Sequence, residues 1–240
     1  MTRRLPLIAG WLIAGHAAAA GLFWALLQVP ESSSLMLAIS GTLALLALLA
    51  VVWTVGGALA AWRPEATPGR AMARGLGHIA AVVLGVLVFA IVWWLTEKGA
   101  IWHAQYGGQL DAWIIARTGK SETARLHSAI FWLLWFLRWG LGLTIALSLA
   151  AWAVRDGVRA LGSVRWLASA LNPLRWLGVT ALVGLGIALP WHHVYWRPEK
   201  ISIGAEPWFV TAKLTLIVLV VTFAWALTLR VVTPPPRSEQ

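Results

Sequence analysis

Arg138 is the charge in this chain whose position is hardest to explain as ordinary surface. It lies in an apolar run over 127–154, about 16 Å from the start of that run at helical rise. A charge at such a depth is costly and normally faces a cavity or a partner. All acidic residues lie at or beyond the ends of apolar runs, so we expect no carboxylate of this chain beside it. The Arg138 guanidinium must then contact backbone carbonyls, water, an anionic ligand, another subunit or an indole face such as that of Trp135.

Lys213 and Glu206 form a second candidate pair near the start of the last apolar run. Lys213 follows Pro207 by about 9 Å of helix, so its ammonium can extend to the nearer membrane surface. Glu206 lies seven positions earlier on the same helical face and can reach it. We therefore predict contacts with a ligand or a partner at Arg138, Lys213, Glu206 and Trp135, with extension to the interface or simple pairing as the alternative for the lysine.

Histidines provide the other possible chemistry. Four of them map to one side of the predicted membrane, with Asp111 nearby: His103, His127, His192 and His193. Imidazoles and carboxylates are ligands for transition metals, although this spacing matches no helical ligand motif. His16 and His78 could bind a haem only if packing brought them level. A metal or haem site is therefore the alternative to an interfacial role for these side chains.

The usual catalytic signatures are missing from the sequence. The chain has no cysteine, which removes thiolate metal sites, iron–sulfur clusters and cysteine nucleophiles. It contains no HExxH, no GxSxG and no phosphate-binding glycine-rich loop. We therefore predict no enzymatic activity and no required cofactor.

Composition indicates which solvent surrounds the elements that carry these residues. Hydrophobic residues make up 60% of the 240 residues, charged residues only 12%, and the mean hydropathy is +0.75. Soluble domains carry about 25% charged residues, so lipid must cover part of this surface. The net charge of +10 then suits anionic lipid headgroups, and we predict no nucleic-acid partner.

Six apolar runs of spanning length predict an all-α integral membrane protein with short loops. Residues 1–232 form a single transmembrane domain in this prediction, and 233–240 form a disordered cytoplasmic tail. Residues 109–118 mix apolar and charged side chains, which predicts a short interfacial helix on the outer surface. The predicted spans are 7–29, 35–62, 72–95, 127–154, 174–190 and 208–232.

Lysine and arginine set the predicted orientation. With the N-terminus inside, the cytoplasmic segments hold Arg3, Arg4, Arg63, Arg70, Arg74, Arg155, Arg159, Arg165, Arg175, Arg230 and Arg237. The outer loops hold fewer: Lys98, Arg117, Lys120, Arg125, Arg197 and Lys200. The excess predicts that both termini are cytoplasmic, in the inner (plasma) membrane of a cell.

One local resemblance lies in the last run. The stretch from Pro207 through Lys213-Leu214 to Arg230 resembles a span of copper-resistance D-type membrane proteins. It covers that span alone, and we carry over neither a metal nor an activity from it.

The sequence therefore predicts a polytopic membrane protein that acts as a small transporter or permease, or as a membrane subunit of a larger complex. Its predicted partners are the bilayer and other subunits or further copies of itself. A haem-, copper- or quinone-linked redox protein that uses the outer histidines is the alternative.

Overall fold

Six helices within the part of the chain that the structure describes are long and apolar enough to cross a membrane. The computed structural model describes residues 3–30, 32–119, 123–196 and 204–234; the side chain of residue 158 is not described. Within these ranges every regular element is helical, which confirms the predicted all-helical class. The α-helices are α1 (Arg4–Leu27), α2 (Ser34–Ala61), α3 (Pro68–Ala73), α4 (Ile79–Thr118), α5 (Ala124–Trp135), α6 (Leu143–Asp156), α7 (Arg165–Ala170), α8 (Pro173–Val194) and α9 (Glu206–Val232).

Local sequence explains where the helices begin and end. The Ser33 hydroxyl accepts a hydrogen bond from the Met36 amide at the start of α2, and the Asn172 side chain accepts one from Leu174 at the start of α8. Gly119, with a φ of 67°, ends α4 in the left-handed region that favours glycine. Pro190 does not end the fifth span as predicted, because α8 continues through it to Val194.

The third span differs most from its prediction. Residues 72–78 form the end of α3 and a 3₁₀ turn, and α4 then runs without interruption for 40 residues. At helical rise it is about 60 Å long, twice the thickness of a bilayer core. The predicted interfacial helix over 109–118 is therefore wrong as a separate element, because no proline interrupts the chain between Thr96 and Gln109.

The fourth span consists of α5, a π-helical segment over Phe136–Gly142, and α6. Gly140 lies in the π segment where α8 comes close, and a Cβ atom there would overlap the Thr180 hydroxyl. The Thr144 hydroxyl donates to the Gly140 carbonyl at 2.6 Å, which satisfies one backbone acceptor of the widened turns.

Tight packing is concentrated at one end of the bundle, where α1 begins and α2, α6 and α9 end; we call it the packed end. The Trp62 indole donates to the Ala226 carbonyl there, and Arg4 donates to three carbonyls just beyond and at the end of α2. At the opposite end, which we call the open end, large apolar side chains such as Trp24, Trp191 and Trp208 are more than half exposed. The functional candidates are distributed between these two ends.

Candidate functional site

Arg138 lies in the π segment and is held by three side chains of α4. Its Nε donates to the Thr96 hydroxyl at 3.0 Å, and its Nη2 donates to Glu97 Oε2 at 2.7 Å. Its guanidinium carbon lies 4.1 Å from the centre of the Trp93 ring. The side chain is only 18% exposed. We call this set the Arg138 cluster.

The expectation that no carboxylate of this chain reaches Arg138 is wrong. α4 continues past its apolar run to Thr118, and the fourth span runs back beside it from Ala124, so Arg138 lies beside Glu97, where that apolar run ends. Trp135 is not its aromatic partner, because that ring packs against Trp132 at 6.1 Å. The predicted contact of Arg138 with a ligand or a partner stays a prediction, and the chain itself already satisfies this cation.

Lys213 is bound at the end of α8. Its ammonium donates to the carbonyl oxygens of Val194 and Trp196, both at 2.7 Å, and lies 5.7 Å from the Phe209 ring. It thus satisfies carbonyls that a helix end leaves without intrahelical partners. Glu206 occupies the first turn of α9, where a carboxylate is favoured by the helix dipole.

Two of the four predicted histidines meet. His127 Nδ1 lies 3.0 Å from His103 Nε2, and His127 Nε2 lies 2.8 Å from Asp111 Oδ1. His103 and Asp111 lie eight residues apart on one face of α4, and α5 supplies His127. Gly107 lies between them, and a Cβ atom there would come within 3.4 Å of the His127 ring. We call these three side chains the Asp–His–His chain.

Hydrogen bonding limits the protonation of the Asp–His–His chain. The Asp111 carboxylate accepts, so His127 Nε2 donates, and the contact between the two rings holds one proton. His103 Nδ1 is buried and has no hydrogen-bond partner among the described residues. The arrangement can therefore move a proton along three groups, as linked imidazoles and carboxylates do.

The other two histidines lie elsewhere, at the end of α8. His193 donates through Nδ1 to the Leu189 carbonyl of its own helix, and the His192 ring contacts the His193 ring. No three histidine or acidic side chains of the described residues are arranged to hold a metal ion. The structure therefore does not bring the four predicted metal ligands together.

An apolar cavity of about 440 Å³, which the sequence did not predict, lies between α1, the fourth span, α8 and α9. Its wall is aliphatic apart from a few groups, among them His16, Thr222 and the Trp139 and Trp225 rings. His16 lies midway along α1 and donates through Nδ1 to the Leu12 carbonyl at 2.7 Å. Its place in the middle of an apolar run, and not near an end of one, was the available signal.

Trp139 links this cavity to the Arg138 cluster. Its ring lines the cavity and packs edge-on against Trp93 with centroids 5.5 Å apart. Trp93 in turn carries the Arg138 guanidinium on its face. His78, by contrast, lies just before α4 and is not among the residues that line this cavity, so the structure does not place it in one site with His16.

No protein-family model, curated protein or solved structure matches the chain.

Proposed function

We propose that the chain is a small transporter of the inner (plasma) membrane whose substrate is an apolar or amphipathic molecule. The observation that supports this most directly is the cavity of about 440 Å³ between four of the six long helices. Pockets for small organic ligands commonly measure about 300–1,000 Å³ and are mostly apolar with a few polar groups.

The cavity wall indicates the chemistry of the substrate. Leu12, Leu143 and Val183 supply hydrocarbon surface, so the bulk of the substrate is hydrocarbon. His16 has its Nδ1 proton on the Leu12 carbonyl, which leaves Nε2 with its lone pair. A substrate hydroxyl would donate to this nitrogen, and we therefore favour a molecule with a long apolar body and one hydroxyl.

The test uses two variants of α9 with the same substitution. Val221 lines the cavity and Val210 lines none of the cavities described, while both side chains are about equally exposed, at 40% and 44%. The probe is 11-bromoundecanol, whose bromine quenches nearby tryptophans such as Trp139 and Trp225. We expect saturable quenching in the wild-type protein and in Val210→Phe, and about tenfold weaker binding in Val221→Phe because its ring fills the cavity.

Equal affinity of the two variants would contradict binding in this cavity. A third variant, His16→Phe, separates recognition of the hydroxyl from simple partition of the probe into an apolar space. We expect His16→Phe to weaken binding of 11-bromoundecanol but not of 1-bromoundecane, which lacks the donor. If binding holds, uptake of the alcohol into proteoliposomes tests transport itself.

A role as a subunit of a membrane complex is the second candidate. It is favoured by the exposed aromatic rings along the outer stretches of α4 and α5, where Trp102, Trp113, Phe131 and Trp132 are each more than half exposed. Contiguous exposed apolar surface of this kind is typical of interaction sites. Purification in mild detergent with mass spectrometry of co-eluting proteins tests it.

The redox function that would use the outer histidines is retained as an alternative with less support. The Asp–His–His chain has two imidazoles and a carboxylate, but they are hydrogen-bonded in series, and no such group among the described residues is arranged to hold a metal ion. A haem band or about one metal ion per purified chain would favour it over transport.

We also propose that both termini face the cytoplasm. The packed end carries the chain start and the arginine-rich segments, which is the charge bias of cytoplasmic loops. A reporter fused after residue 240 should be active only in its cytoplasmic form. The predicted tail over 233–240 lies outside the described residues from 235 onward.

A further inference from the structure

A second cavity, of about 460 Å³, lies at the packed end and has a very different wall. It is formed by the end of α2, by α3 and by the 3₁₀ turn that follows α3. Its polar lining residues are Arg63, Thr67, Arg70, Arg74 and His78. We call it the basic pocket.

Charge balance in the basic pocket is incomplete. Glu65 is the one acidic residue between α2 and α4, and it is paired with Arg63 at 2.8 Å. No hydrogen bond or ion pair holds the guanidinium of Arg70 or Arg74 within the described residues. The two residues lie four positions apart, so their side chains extend from the same side of α3.

The backbone that carries these arginines is fixed in place. The Trp53 indole of α2 donates to the Met72 carbonyl at 2.9 Å. Gly56 and Gly57 let α3 and the 3₁₀ turn lie directly on α2, since a Cβ at Gly57 would come within 2.9 Å of the Met72 carbonyl oxygen. On the other side of the α2 end, Arg4 binds the carbonyl oxygens of Ala61, Arg63 and Pro64. The guanidinium groups are thus presented from an ordered backbone.

We propose that the basic pocket binds a phosphate ester through Arg70 and Arg74. Guanidinium groups match phosphate oxygens with paired N–H donors, and binding there would supply the charge that the chain does not. The Thr67 hydroxyl and the His78 imidazole on the same wall can donate to further phosphate oxygens. The headgroup of an anionic lipid and a soluble phosphorylated molecule both offer this group.

The experiment compares two double variants of the purified full-length protein. Arg70→Gln with Arg74→Gln removes two charges from the pocket. Arg3→Gln with Arg159→Gln removes two charges from exposed arginines outside it. The probes are inorganic phosphate, dihexanoyl phosphatidic acid and, as the zwitterionic control, dihexanoyl phosphatidylcholine, with binding measured by calorimetry in a non-ionic detergent.

We expect the pocket variant to bind phosphatidic acid at least about tenfold more weakly than the wild-type protein does, and the control variant to bind it unchanged. Tighter binding of phosphatidic acid than of inorganic phosphate identifies the lipid headgroup as the source of the phosphate. Equal or tighter binding of inorganic phosphate identifies a soluble one. Both results support the site.

Two results would overturn the proposal: unchanged binding in the pocket variant, or an equal loss in both double variants, which would indicate only general charge attraction. The double variant Arg70→Lys with Arg74→Lys tests whether misfolding causes the loss of binding. It keeps the charge, and we expect it to recover part of the affinity while thermal unfolding stays that of the wild-type protein.

Discussion

The Arg138 cluster and the basic pocket are opposite solutions for an arginine in a chain rich in apolar residues. Arg138 is enclosed and has a carboxylate, a hydroxyl and an indole face around it. Arg70 and Arg74 are exposed, lie at the packed end, and have no acidic partner among the described residues. Both places contain guanidinium groups, but only the second leaves its donors available.

The difference follows from what else can solvate the charge. A guanidinium that is 18% exposed must find acceptors within the protein, because an unpaired buried charge is costly. An exposed guanidinium at the end of a bundle has water or headgroups as acceptors and needs no internal partner. The Arg138 cluster therefore contributes to stability, and the basic pocket is the one suited to a ligand.

The largest expected effect is that of Arg138→Gln. It removes the ion pair and the contact with Trp93, and we expect the free energy of unfolding to fall by about 2 kcal/mol. Denaturant titration in detergent micelles measures this, with Arg159→Gln as the exposed control. A loss no greater than that of the control would mean that the Arg138 cluster does not stabilise the fold.

Glu97→Gln sharpens the same comparison. Its carboxylate is half exposed, so its own loss should be smaller than that of Arg138→Gln. The double variant should lose less than the sum of the single variants, with a coupling of about 1 kcal/mol. Strict additivity would show that the 2.7 Å contact carries no net energy.

The Asp–His–His chain should rank next, because its groups are partly exposed and His127 is hydrogen-bonded to both of the others. His127→Phe keeps the ring volume and removes both hydrogen bonds between α4 and α5, at a cost of about 1 kcal/mol. Asp111→Asn should have little further effect in that background. If Asp111→Asn has the same effect in the His127→Phe variant as in the wild-type protein, the carboxylate acts outside this chain of hydrogen bonds.

The smallest expected effect on stability is that of the double variant Arg70→Gln with Arg74→Gln. No described contact is lost, so the free energy of unfolding should stay within about 0.5 kcal/mol of the wild-type value when no phosphate is present. Thermal unfolding in phosphate-free detergent solution measures this. A large loss of stability would mean that other groups of the protein bind these arginines, as they bind Arg138.

Much of the fold could be predicted, since long apolar runs report directly on helices of spanning length. The ends of those helices were less predictable. Residues 96–108 contain Gly99, Gly107 and Gly108, which weaken a helix, but no proline, and α4 continues through them.

The sites were harder to predict than the spans, because they depend on which side chains of different helices lie at the same level. The partnership of Arg138 with Glu97 joins residues 41 positions apart and depends on the continuation of α4 beyond its apolar run. The sequence grouped His103 and His127 with His192 and His193, and the separation of the two pairs was not visible in the spacing. The cavity beside His16 arises from four helices and has no local pattern at all.

The π segment over Phe136–Gly142 also determines how the chain tolerates changes in length. Hydrogen bonds from residue i to i+5 accommodate one residue more than α-helical turns do, so the helices on the two sides keep the relative orientation that they would have without that residue. Deleting a single residue within the segment would restore regular helix and leave His127 facing α4 and α6 at the packed end. A one-residue deletion elsewhere in the fourth span would rotate one side by about 100° relative to the other, so we expect it to be tolerated far less.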